Sequence, residues 1–167
     1  MIALELTNIK DFMNKLLLTD TFDHFLLQEA SITGGATYLI DGHISHGYYS
    51  EEELEELHLK GLSILPYSLL RSKCFDLIKG RKTPSSFKFI FLLSPSNLEN
   101  TLRSLDTAFT PQDITGIFLN IRYQNQLLTL TTGISYAVFS TDRSLETGWD
   151  QLVQKFLSQK GISWEKI

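Results

Sequence analysis

Apolar residues recur along the chain with two periods, two residues in some stretches and three to four in others, and the order of these periods runs twice. Ile2, Leu4 and Leu6 alternate with small or polar neighbours and predict a short strand. Ile9, Phe12, Met13, Leu16 and Leu17 then return every three or four residues, predicting a helix capped by Asn8 with Asp11 in its first turn. Stretches 22–32 and 37–44 are rich in aromatic and β-branched residues. Gly34 and Gly35 between them suit a tight connection, so a hairpin is expected. Ser50 and Glu53 make a capping box for a helix over 51–60 that carries Leu54 and Leu57, with Gly61 just past its end.

Pro66 suits a helix start, and Tyr67, Leu70, Cys74, Leu77 and Ile78 keep helical spacing up to Gly80. The run 87–93 is apolar on both sides apart from Lys88, which predicts a central strand. Ser94 and Pro95 then open a helix with Leu98, Leu102 and Leu105 on one face. Runs 116–123 and 127–132 read as strands joined at Gln124-Asn125-Gln126, and a further strand is expected over 134–139, with Gly133 marking a turn or bulge between the last two. Leu145, Trp149, Leu152, Val153, Phe156 and Leu157 define the last helix, beginning near Asp142 or Ser144; the tail through Trp164 is expected to be less ordered.

These elements predict a two-layer α+β fold in one domain over 1–167, with pseudo-repeat halves 1–61 and 87–160 joined by a connecting helix and basic loop over 62–86. The sheet is expected to be mainly antiparallel or mixed, with Phe89, Phe91, Ile117, Leu119, Trp149 and Phe156 in the core.

Composition narrows the class. With 43% hydrophobic and 20% charged residues the chain is not disordered as a whole. No segment reaches the ~20 apolar residues of a membrane span, and Cys74, the single cysteine, has no disulfide partner within the chain. The start of the sequence lacks the pattern of a signal peptide, so a cytoplasmic location is expected. The net charge of −4 is uneven: residues 71–88 carry +5 and the rest −9.

Candidate chemistry is sparse. Asp41, His43 and His46 are residue types that bind first-row metals, yet on a strand only Asp41 and His43 share a face, so a metal site needs a turn at Gly47 or a bulge. A nucleophilic Cys74 would need exposure and a cationic neighbour, while its helical position is apolar. The loop Gly80 to Ser86 offers cations, hydroxyls and backbone N–H groups, and Lys79, Arg81, Lys82, Thr83 and Ser85 form the candidate contact for an anion or nucleic acid. It is not a phosphate-binding P-loop: the glycine spacing is absent and the loop leads from helix to strand. Arg122 shares a strand face with Phe118 and Asn120 and needs an acidic partner only if that face is covered.

Three stretches, Asp11-Phe12-Met13-Asn14-Lys15-Leu16-Leu17-Leu18 with Phe22-Asp23-His24-Phe25, Leu77-Ile78-Lys79-Gly80-Arg81-Lys82-Thr83-Pro84, and Trp149-Asp150-Gln151-Leu152-Val153-Gln154-Lys155-Phe156, resemble an uncharacterised bacterial family known only as a domain of unknown function. The resemblance implies a cytoplasmic bacterial protein and carries over no catalytic residue. In topology alone the doubled units are similar to sliding-clamp domains, but the helices at 8–18 and 94–106 offer only Lys10, Lys15 and Arg103 for phosphates.

The function expected from these residues is that of a binding or interaction protein whose partner is another protein, an anionic ligand or nucleic acid met through 71–88, without membrane or cofactor. The alternative is an enzyme acting on a phosphorylated or other anionic small molecule, using Arg81, Lys82 and His43 or His46.

Overall fold

Strand β4 (Ser86–Leu93) alternates strictly: Phe87, Phe89, Phe91 and Leu93 are buried, while Ser86, Lys88, Ile90 and Leu92 are only partly covered. In the computed structural model, which describes residues 1–167, this strand lies inside a seven-stranded antiparallel sheet. The others are β1 (Ala3–Leu6), β2 (Phe25–Thr33), β3 (Thr37–Asp41), β5 (Ile114–Gln124), β6 (Leu127–Tyr136) and β7 (Trp164–Lys166). Their order is β3-β2-β4-β5-β6-β1-β7, and every pairing is antiparallel.

Helices α1 (Ile9–Leu18), α3 (Tyr67–Ile78), α4 (Pro95–Ser104) and α5 (Ser144–Gln159) contribute buried residues to the core, while α2 (Glu51–Glu56) contributes none. The result is the α+β fold expected. At its centre Phe22 stacks on Phe91 at 5.5 Å and meets Phe12 and Phe156 edge-on at 5.6 and 5.7 Å, an arrangement that aromatic quadrupoles favour. Of the expected core residues, Phe89, Phe91, Ile117, Leu119 and Trp149 are buried and Phe156 is half-buried. The Trp149 indole donates to the Phe118 carbonyl at 3.0 Å, giving a buried polar tip its partner.

Local chemistry sets the helix starts. Asn8 accepts from the Asp11 amide, Ser94 accepts from the Asn97 amide, and Ser50 with Glu53 closes both arms of a capping box. Helix α2 is shorter than its sequence pattern: it ends at Glu56, because His58 turns left-handed at φ 56° and Leu59 folds back into a buried position.

Three expectations are corrected. The strand expected over 134–139 is not separate, since β6 runs unbroken through Gly133 to Tyr136. Gly133 keeps the ladder, paired directly across from Phe118, so this glycine marks no turn. The tail is ordered as β7, which pairs Leu6 with Trp164 and Leu4 with Lys166. The strand-helix-hairpin-helix order does occur twice, yet the pairings do not repeat: β4 pairs with β5, whereas β1, the corresponding strand of the first half, pairs with β6 and not β2.

Candidate functional site

The basic loop begins where α3 stops. Lys79 leaves the helix in an extended conformation, and Gly80 follows at φ +151°, a region that favours glycine. The chain returns to the sheet at Ser85, whose amide and hydroxyl both donate to the Thr33 carbonyl, at 2.9 and 3.1 Å. Pro84 is buried beside that junction. Held at both ends, the loop leaves the backbone N–H groups of Gly80, Arg81, Lys82 and Thr83 without an acceptor in the chain.

Between this loop and the β2–β3 turn lies a cavity of about 660 Å³. Lys79, Lys82, Thr83 and Ser85 line one side, Gly34 and Gly35 the other, and Ile32, Leu77 and Ile78 give it an apolar base. The structure thus gathers four of the five residues expected to meet an anion. Arg81 is exposed and does not line the cavity. The two glycines had been legible only as a turn; their place as a wall depends on the Thr33–Ser85 contact, which joins residues far apart in sequence.

Half of the basic cluster is neutralised locally. Arg71 makes two hydrogen bonds to Asp23, at 3.0 and 3.1 Å, and Lys88 meets Glu29 at 3.1 Å. Lys79 lies 3.1 Å from Asp76 and 5.2 Å from the centre of the Phe75 ring, but that ion pair is exposed and worth little. Lys82 makes no ion pair, which leaves it the cavity's uncompensated charge.

The other candidates lie elsewhere. Asp41 accepts from the His43 amide at 3.0 Å and from its imidazole at 2.6 Å; the amide bond first, then the ring, holds the Asp41 carboxyl below the usual carboxylate range. His46 is not brought to this pair, and no third histidine, cysteine or carboxylate joins it in a cluster able to hold a metal. Cys74 is fully buried, and burial pushes its thiol up to about 12, away from nucleophilic use near neutral pH. Arg122 lies on the open face of the sheet, directly across from Lys88, exposed and without an acidic partner.

Fold and site together define an α+β protein with one antiparallel sheet, helices against it, and a cationic concavity beside the β2–β3 turn. The chain belongs to the family of unknown function DUF5721, whose model matches residues 15–165. No curated protein and no solved structure matches it. No helix is long and apolar enough to cross a membrane.

Proposed function

We propose that this protein binds a small anionic ligand, of the phosphate or carboxylate type, in the cavity beside the basic loop. The carrying observation is that Lys82, which has no acidic partner, lines the cavity together with Thr83, and that the backbone N–H groups of both residues have no acceptor in the chain. Cations and free amides are the two donor types that recognise oxyanions, and a concave wall strengthens both by excluding water. The alternative role of basic residues here is to offset the negative end of α3. Lys79 sits where that role is filled, while Lys82 lies beyond the helix and faces the cavity.

A small ligand fits better than a nucleic-acid strand. The stretch 71–88 carries +5 but the remainder −9, so a phosphate backbone extending past the loop meets repulsion. Binding also fits better than catalysis, because no histidine, cysteine or carboxylate lines the cavity.

Calorimetric titration with pyrophosphate tests the reading. Saturable binding is expected at one site, weakened about tenfold by Lys82→Ala, close to 1.4 kcal/mol, and hardly altered by Arg81→Ala. Absence of binding, or equal loss in the two variants, refutes it.

A further inference from the structure

We propose that the groove between α4 and α5 is a second binding site, for an uncharged and largely apolar small molecule carrying hydrogen-bonding groups. The groove has a volume of about 610 Å³ and reaches the sheet at Leu93 and Leu119. Its two walls have matched spacing and opposite chemistry. Helix α5 presents Trp149, Leu152, Val153 and Phe156, an i, i+3, i+4, i+7 stripe of apolar residues. Helix α4 presents Asn97, Asn100, Thr101 and Ser104 at the same spacing, every one polar and uncharged.

This pairing explains why the groove is open. The α5 stripe is wider than the seam the sheet covers: Trp149 and Val153 are buried, while Leu152 and Phe156 are left half-covered. Two packed helices ordinarily fill such a seam with interdigitating apolar side chains. Here α4 turns Leu98 and Leu102 into the core and offers short amides and hydroxyls across from Leu152 and Phe156, too small to fill the space.

The lining also states what would fill it. None of its residues carries a formal charge except through His24, so an ion entering would lose hydration without gaining a partner. The hydrogen-bonding wall has spare capacity. Asn97 donates one amide hydrogen to the His24 carbonyl at 3.3 Å, leaving its side-chain oxygen free. The Thr101 hydroxyl and the Asn100 side-chain nitrogen make no hydrogen bond within the chain; Asn100 only accepts, at 3.5 Å, from Arg103. A ligand with an apolar body toward α5 and an acceptor or donor edge toward α4 satisfies both walls. The volume lies within the range of roughly 300–1,000 Å³ usual for small-molecule sites. The groove's 12 lining residues fall short of the about 20–30 that a stable protein interface supplies from each partner, which favours a small occupant over a second chain.

The neutral fluorophore N-phenyl-1-naphthylamine tests this on the intact chain. Saturable binding at one site is expected, displaced by decanol and at least about tenfold less well by decanoate, since the carboxylate finds no cation in the groove. Ser104→Phe fills the groove from an exposed helix position and Leu152→Glu charges its apolar wall; each is expected to weaken the probe about tenfold or more, Ser104→Phe with an unchanged melting temperature. Lys82→Ala is expected to leave probe binding unchanged, so failure here and failure of the anion site are separate results. Non-saturable binding, indifference to both groove variants, or equal displacement by decanoate overturns the proposal. So does a self-associating wild-type chain that Leu152→Glu makes monomeric, which would assign the groove to a protein interface.

Discussion

Gly42 meets the backbone of Leu27 so closely that a Cβ on Gly42 would lie 1.6 Å from the Leu27 carbonyl oxygen. The contact falls where β2 shifts register between Leu27 and Glu29, and two neighbouring hydrogen bonds fix it: the Gly42 amide donates to the Gln28 carbonyl at 2.9 Å, and the Leu65 amide to the Gly42 carbonyl at 2.8 Å. The end of β3 and the segment before α3 are thereby pinned to the bulge. Gly42→Ala forces backbone apart and is expected to destabilise the fold by about 3 kcal/mol. Gly34→Ala, where an added Cβ meets nothing within 4 Å, is its control and is expected to be nearly neutral. Chemical denaturation of the two variants checks both; equal midpoints would refute the close-contact argument.

A buried polar pair ties α5 to the sheet. The Thr132 hydroxyl donates to Asp150 Oδ1 and also accepts from the Ile2 amide at 3.0 Å, so one side chain on β6 links the start of the chain to the last helix. Thr132 is 1% exposed and Asp150 9%, so few waters can replace a missing partner. Thr132→Val keeps the shape but removes both bonds, and is expected to cost roughly 2 kcal/mol because Asp150 Oδ1 and the Ile2 amide lose their partner together, while Asp150 Oδ2 keeps the Met1 ammonium at 3.2 Å. Thr132→Ser retains the hydroxyl and should recover most of that loss. Thermal melts of the two variants decide the matter, with equal destabilisation counting against the hydrogen bonds.

What the sequence made legible was local. Asn8, Ser50, Glu53 and Ser94 act on amides within three residues, so their caps follow from spacing alone. The α5 stripe and the central place of β4 follow from the periods of their own apolar residues. Strand partners are another matter: nothing in Ala3 to Leu6 says that β1 will pair with Thr129 to Thr131, or that Trp164 will join its far edge. The same limit applies to the site. The charge of Lys82 was visible, but its cavity needs Gly34 and Gly35 across from it, and that meeting is set by the long-range Thr33–Ser85 bonds. The groove was hidden for a further reason: the α4 residues Asn97, Asn100, Thr101 and Ser104 look like an ordinary solvated helix face until α5 is placed beside them.

Tyr67 links two helices through one hydrogen bond. Its hydroxyl, on α3, donates to the Leu16 carbonyl at 2.8 Å, and Leu16 is among the last residues of α1, whose carbonyls lack helical partners. The ring is fully buried and meets Phe91 edge-on at 5.0 Å, so Tyr67→Phe keeps the packing and loses only the bond. The expected loss is about 1 kcal/mol, with the added consequence of faster amide exchange near the C-terminal end of α1. Hydrogen exchange unchanged around Leu16 to Leu18 would refute the capping role.

Alkaline pH should unfold this protein through the same region. Burial is the main cause that raises the Cys74 thiol from its ordinary 9.0 to about 12, and burial likewise raises the Tyr67 phenol. A group whose pKa is higher folded than unfolded contributes stability that is complete below its unfolded pKa and is lost as pH rises toward the folded one. For Cys74 that window runs from 9.0 to about 12: the unfolded chain releases the proton and the folded chain keeps it. Stability is therefore expected to be level up to about pH 8 and then to fall, at a slope approaching about 1.4 kcal/mol per pH unit from Cys74 alone. Tyr67 adds to the fall at the upper end of the range. Cys74→Ala should flatten the first part of the descent and Tyr67→Phe the later part, whatever each does to stability at neutral pH. Urea midpoints measured from about pH 7 to about pH 11 give the slopes directly, and a wild-type profile parallel to that of Cys74→Ala would show that the thiol does not titrate across this range on unfolding.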